Sequence, residues 1–155
     1  MQLTHNFTTL NSCDDPAEWT YSTDATAPTA DTSNYLEGTA SLNLGKSGTS
    51  SNTFWYSYSF SPTINLYNKV LIAWLWIEDD DTLSKIDQVK IEVYEAGSKI
   101  HEYVHYQNEL RTGWQPIHFY CTKSAADAID EVRIVFTTKN ATDTIDSGKL
   151  KMDYW

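Results

Sequence analysis

Val70-Leu71-Ile72-Ala73-Trp74-Leu75-Trp76-Ile77 runs straight into Glu78-Asp79-Asp80-Asp81. The apolar run holds no charge and is rich in branched and aromatic side chains. It reads as a strand buried on both faces. It is too short to cross a membrane as a helix, which needs about 20 apolar residues. Alternation gives the strand two sides. Val70, Ile72, Trp74 and Trp76 share one, and Leu71, Ala73, Leu75 and Ile77 share the other. One side faces the core. The other needs its own cover: a loop, a second sheet, a partner chain or a ligand.

Working outward, the same two-residue period recurs on both sides of this run. Upstream, residues 3–10 read as a first strand with Phe7 turned inward. Residues 17–22 and 39–44 follow, and residues 53–61 set Phe54, Tyr56, Tyr58 and Phe60 against Trp55, Ser57 and Ser59. Downstream, Val89, Ile91 and Val93 alternate with Lys90, Glu92 and Tyr94. Ile100, Val104 and Tyr106 alternate with His101, Tyr103 and His105. Ile117 and Phe119 oppose His118 and Tyr120, and residues 132–137 and 150–155 close the chain. Clusters of Gly, Pro, Asn, Asp and Ser separate the runs. Residues 23–34 show no period and read as a long loop held on a scaffold. Residues 124–128 read as one helical turn. Pro62 falls in a connection, where it costs no ladder hydrogen bond. About ten short strands with almost no helical period predict an antiparallel β-sandwich, all-β, as one domain over residues 1–155.

Composition limits function. The chain has 155 residues, 21% charged and 41% hydrophobic, which suits a globular domain with a real core. A net charge of -10 and a pI of about 4.6 repel phosphate backbones, so nucleic acid is not an expected partner. Six Trp and ten Tyr exceed what such a core needs, so some rings are expected at the surface. The opening residues hold no basic segment followed by an apolar one, so no signal peptide is read. The chain is expected either to begin inside a longer protein or to leave the cell by another route. It ends in the middle of a strand-like pattern. Cys13 and Cys121 lie far apart in sequence and read as two thiols or one disulfide; spacing does not decide.

Glu37-Gly38-Thr39-Ala40-Ser41-Leu42, the strand with Ala73-Trp74-Leu75-Trp76, Gly113-Trp114-Gln115-Pro116-Ile117, Ile129-Asp130-Glu131-Val132-Arg133-Ile134 and Leu150-Lys151-Met152-Asp153 occur in that order. In this order the chain resembles the jelly-roll carbohydrate-binding modules of the galactose-binding-domain-like superfamily. The resemblance implies a non-catalytic module that binds oligo- or polysaccharide and holds a structural calcium. It implies Glu37 and Asp153 as calcium ligands, with Asp31 and Asp15 as additions. Calcium takes six to eight oxygens, which such a loop supplies, and Gly38 lets the chain turn closely. The other reading leaves Glu37 and Asp153 as solvated acids. Asn6-Phe7-Thr8 departs from the family pattern of Phe followed by an acid.

Saccharides present flat apolar faces ringed by hydroxyls, which suit aromatic rings with polar groups beside them. Two sets offer this. One is His101, Tyr103 and His105 with His118 and Tyr120. The other is Trp74 and Trp76, which also read as core. Parity turns Ile100, Val104 and Tyr106 inward, and so His101, Tyr103 and His105 outward. It likewise turns His118 and Tyr120 outward, into one platform if the two strands share a sheet. Trp19 and Trp114 read as core or loop anchors, and Glu78 to Asp81 as a solvated turn. No nucleophile elbow, zinc-helix or phosphate-loop motif is present, and no enzyme activity is expected. His101 and His105, roughly 13 Å apart on a strand, do not share a zinc. A second class stays open: a viral or phage tail or capsid domain, structural or adhesive, on the same sandwich. Either class places the protein outside the cell, on a cell surface or on a virion.

Overall fold

The computed structural model describes residues 8–155. Among them, ten strands build two five-stranded antiparallel sheets. In chain order they are β1 (Trp19–Tyr21), β2 (Thr29–Asp31), β3 (Ser41–Lys46), β4 (Thr53–Ile64), β5 (Lys69–Ile77), β6 (Ile86–Glu95), β7 (Ser98–Tyr106), β8 (Gly113–Cys121), β9 (Ile129–Thr138) and β10 (Ile145–Asp153). The first sheet runs β1-β4-β9-β6-β7 and the second β2-β3-β10-β5-β8. The sandwich expected from alternation is the observed fold.

Inner faces make the core. From the second sheet come Leu42, Leu44, Leu71, Ala73, Leu75, Ile77, Ile117, Phe119, Leu150 and Met152. Facing them are Phe54, Tyr56, Val89, Ile91, Val93, Val132, Ile134 and Phe136 from the first. Phe54 and Phe136 are cross-strand partners and their rings stack at 5.0 Å. Cys13 and Cys121 are both buried free thiols.

Several boundaries differ from the sequence reading. The expected first strand lies outside the described residues at positions 3–7, and residues 8–10 are not strand; Leu10 N–H donates to the Trp155 carbonyl at 2.7 Å. Residues 16–18 form a 3₁₀ turn ahead of β1, capped by Asp15. The supposed long loop contains the edge strand β2. Pro62 sits inside β4, in a stretch where the register with β9 shifts, so it still costs no ladder bond. In the run Glu78 to Asp81, Glu78, Asp80 and Asp81 are exposed as expected, but the run opens a short helix rather than a turn. Asp79 caps the short helix α1 (Asp80–Lys85), accepting from Thr82 N–H at 2.8 Å, and its acids sit where the helix dipole favours them.

The main correction concerns β7. Val89 pairs with His105, Ile91 with Tyr103 and Val93 with His101. Directly paired residues share a face, so these three rings extend the inner surface of the first sheet. A bulge between the Val93 and Tyr94 pairings inserts Ile100 and reverses the parity argued from it. His105 is only 6% exposed.

One side chain ties the sandwich end together. Lys46 is fully buried, and its ammonium donates to the carbonyls of Gly48 (2.6 Å), Ala141 (2.7 Å) and Asp143 (2.9 Å). Three backbone acceptors from two loops thus depend on one cation. Lys46→Met is expected to lower the unfolding free energy by about 3 kcal/mol or more, since each orphaned buried acceptor costs about 1–3 kcal/mol. Urea unfolding measures this; an unchanged midpoint would show that the carbonyls do not need the ammonium.

Candidate functional site

The outer face of the second sheet is built by register. β5 pairs with β8 on one side and β10 on the other, aligning Trp114, Trp76 and Lys151 across three strands; Asn43 on β3 pairs with Lys151. The next rungs along β5 and β8 are Trp74 beside Pro116, Ile72 beside His118 and Val70 beside Tyr120. The set that includes Trp74 and Trp76 therefore points away from the core. Both rings are half-buried, whereas their neighbours Ala73, Leu75 and Ile77 are fully buried. At the far end Val70 is 56% and Tyr120 50% exposed.

What covers this face is the loop 32–40. Asp153 lies on the outer side of β10, paired with Trp74, yet is 0% exposed. Its Oδ2 accepts from Leu36 N–H at 2.5 Å and from Glu37 N–H at 3.2 Å, which fastens the loop over it. Asp14 holds the loop's far end by accepting from Thr39 and Ala40 N–H, both at 2.8 Å. Gly38 (φ 74°) fits here because a Cβ would come within 2.6 Å of the Asp14 carboxylate. Asn34 reaches Trp114, whose indole N–H donates to its side-chain oxygen at 3.0 Å.

Two hollows result. One, of about 500 Å³, is lined by Asp31, Ser33, Asn43, Glu78, Lys149 and Lys151. The other, of about 270 Å³, is lined by Leu36, Glu37, Trp74 and Tyr154. Near them, the Trp76 and Trp114 rings lie 5.7 Å apart and tilted, and Trp76 donates to Glu78 at 3.0 Å.

Charge here is paired off. Lys151 bonds Asp31 directly, and Ser33 donates to the other Asp31 oxygen through its N–H and hydroxyl. Burial alone would raise the Asp31 pKa, but Lys151 and Ser33 hold it well below the usual carboxylate range. Lys149 bonds Asp79 at 2.8 Å. Asp153 goes the other way: burial raises it and the nearby Asp14 charge adds to this, against the two amide donors. Its Oδ1 is a buried oxygen with no hydrogen-bond partner among the described residues.

The expected ring platform is rearranged. β7 and β8 lie at neighbouring edges of different sheets, not in one sheet. His105 Nε2–H donates to the His118 carbonyl at 2.9 Å. Tyr103 and His118 approach to 5.9 Å, so the rings do meet, around the sandwich edge. His118 and Tyr120 face solvent as expected; His105 does not, and burial lowers its pKa.

The four acids expected around calcium do not converge. Asp31 is spent on Lys151 and Ser33, and Asp15 caps the turn before β1. Among the described residues, no three His, Cys, Asp or Glu groups form a metal cluster. Asp153, with its orphaned Oδ1, and Glu37 beside it are the members that fit an oxygen-seeking cation. Sequence reasoning missed Trp114, Asn34 and Lys151 as members of this face. Their placement depends on pairings between strands far apart in the chain.

No family model and no curated protein matches the chain. Solved structures do. A carbohydrate-binding module from the β-sandwich superfamily superposes with a TM-score of 0.65 at 15% identity, over 90% of this chain and 56% of that one. A family 11 carbohydrate-binding module from Clostridium thermocellum, in complex with a β-1,3-1,4-mixed-linked tetrasaccharide, gives 0.57 at 10% identity, over 94% and 91%. The enzymatically active domain of tailspike protein 4 from bacteriophage CBA120 gives 0.52 at 11%, over 92% and 20%. The chain thus spans about half of the first and a fifth of the third. At these identities the likeness is one of fold: the chain has the β-sandwich of carbohydrate-binding modules.

Asp153 supplies a pH test. Its raised folded pKa favours the protonated form, so its contribution is present below the unfolded value and lost as pH rises through the folded one. Asp153→Asn keeps an acceptor for Leu36 and Glu37 N–H and removes the charge. In chelator, the variant is expected to equal or exceed the parent's melting temperature at neutral pH and to lack this loss on raising the pH. A variant that melts well below the parent at neutral pH and matches it in acid would contradict the assignment.

Proposed function

We propose that the domain is a non-catalytic carbohydrate-binding module, and that the outer face of the second sheet takes the saccharide. The observation that carries this is the tilted, half-buried Trp76–Trp114 pair beside a polar hollow. Indole rings stack on the apolar faces of pyranose rings. Asn43, Ser33, Glu78 and the Asp31–Lys151 pair supply donors and acceptors for hydroxyls. Sheet, loop and pairings hold this array before any ligand arrives, which lowers the cost of binding. The likeness to modules solved with oligosaccharides supports the same reading.

Two carboxylates, Asp31 and Glu78, line the larger hollow, as glycoside hydrolysis would require. Asp31, though, has both oxygens engaged within the protein, one by Lys151 and the other by Ser33, so it is free neither to protonate a leaving group nor to attack the sugar. This supports binding without catalysis. The Asp153 corner would hold a structural calcium through Asp153 and Glu37, where the ion would supply the positive charge the buried acid lacks. Binding to glycans fits a place outside the cell, on a cell surface or on a virion. A second reading, a tail or capsid domain, is favoured by the tailspike likeness alone, and stable trimers in light scattering would support it.

Affinity electrophoresis on neutral polysaccharides, followed by titration calorimetry, tests the binding reading. Trp76→Ala and Trp114→Ala are each expected to weaken saccharide binding at least tenfold, about 1.4 kcal/mol, with the β circular dichroism kept. Folded variants that bind as the parent does would move the site elsewhere.

Calcium is tested separately by melting. Saturating calcium is expected to stabilise the parent by about 2.7 kcal/mol at a hundredfold excess over its dissociation constant. Asp153→Asn should lose this gain. Equal melting of the parent with calcium and with chelator would remove the ion from the account.

A further inference from the structure

The face carries more than a pair of indoles. From Trp114 to Tyr120, four rungs of β5 and β8 present apolar or aromatic side chains on one side, in continuous register. Six residues at a strand's rise span about 20 Å, longer than any single pyranose ring. The far end is the most open part, with Val70 and Tyr120 about half exposed. Isolated surface rings need no explanation, but a row in register along two strands forms a contiguous patch. The loop 32–40 borders this row, with Asn34 on Trp114 and Leu36 lining a hollow with Trp74.

On β5 and β8 no rung residue is a carboxylate or an ammonium; on β10 the first two rungs continue into Lys151, bonded to Asp31, and Asp153, bonded to the loop amides. Around the row, each lysine of the larger hollow is neutralised by an aspartate, Lys151 by Asp31 and Lys149 by Asp79. Glu37 and Glu78 remain without a lysine in the salt bridges found, in a chain of net charge -10. Such a surface repels polyanions and leaves neutral ligands unaffected.

We propose that this face takes an internal stretch of an extended, uncharged polysaccharide, contacted along the whole row from Trp114 to Tyr120. This rests on the saccharide-binding reading and narrows it: the ligand is neither a monosaccharide nor a uronate or sulfated chain. Contact along several rungs makes affinity grow with chain length. Tyr120 and Val70 act at the end that only a longer ligand reaches.

The test uses the whole chain. It is passed through gels of agarose, mixed-linkage β-glucan, β-1,4-galactan and xylan, and of two polyanions, polygalacturonate and carrageenan. For each polymer that retards it, disaccharide, tetrasaccharide and hexasaccharide fragments are titrated against the parent, Tyr120→Ala and Val70→Ser. Melting curves check that both variants fold. The expected result is retardation by at least one neutral polymer and by neither polyanion. Affinity should rise at least tenfold from disaccharide to hexasaccharide. At least one folded variant should lose a larger factor on the hexasaccharide than on the disaccharide. Retardation by a polyanion, a disaccharide bound as tightly as the hexasaccharide, or two folded variants with undiminished hexasaccharide affinity would each overturn the proposal while leaving saccharide binding in place. No retardation by any polymer would overturn both.

Discussion

Residues paired across antiparallel strands must point to the same side of their sheet, and this constraint decides what the molecule can present. β5 lies between β8 and β10, so Trp74 and Trp76 each have a fixed companion on either flank, and Ile72 and Val70 have one on β8. Leu71, Ala73, Leu75 and Ile77 are drawn inward by the core, and Trp74 and Trp76 have no choice but to turn out. A one-residue slip would bury the tryptophans and expose the leucines, at a cost of about 1.5–3 kcal/mol for each large side chain misplaced. The aromatic row is thus held by the same energy that holds the fold.

The cover over that row depends on a different balance. Asp153 is a carboxylate in a place where burial disfavours its charge, and two loop amides favour it. Without those amides the acid would be an unpaired buried group; without the acid the loop would lose its central anchor. Asp14 repeats the device at Thr39 and Ala40, so the loop is sewn down by acceptors at two points. A loop fixed by backbone donors keeps its side chains free. Asn34 and Glu37 accordingly reach toward Trp114 and the Trp74 hollow instead of being consumed in holding the loop.

How much of this was legible in the sequence follows from the range of each interaction. Alternation is local, so the strands, the sandwich and the two faces of residues 70–77 could be read directly. The parity of β7 could not, because one bulged residue at Ile100 inverts every assignment downstream of it. Nor could the companionship of Trp76 with Trp114, since a pairing between residues 38 positions apart leaves no mark in either strand. His101, Tyr103 and His105 looked too polar for an interior. They are tolerated on the inner face because β7 is an edge strand, where His105 spends a ring N–H on a carbonyl of the facing edge, β8. The resemblance implied Asp153, Glu37 and Asp31 as calcium ligands; Glu37 N–H donates to Asp153, while Asp31 is bonded to Lys151, a partner that makes a half-buried acid inexpensive.

Both outer faces of the sandwich carry aromatic rings among charges, yet they are not equivalent. On the first sheet, Arg133 lies over Trp55 at 4.5 Å and over Tyr94 at 4.2 Å, while its guanidinium is bonded to Glu131. Tyr94 in turn donates to Glu92 at 2.6 Å. The π-faces there are engaged by a cation of the protein itself, and a neutral ligand would have to displace a contact worth about 0.5–2 kcal/mol. On the second sheet the indole N–H groups are satisfied at their edges, by Glu78 and Asn34, and among the described residues no arginine or lysine lies over either ring. Edge bonds fix where a ring sits without occupying its face. Of two similar compositions, the one on β5 and β8 keeps its indole faces clear of the protein's own cations, which supports the saccharide-binding reading proposed for it.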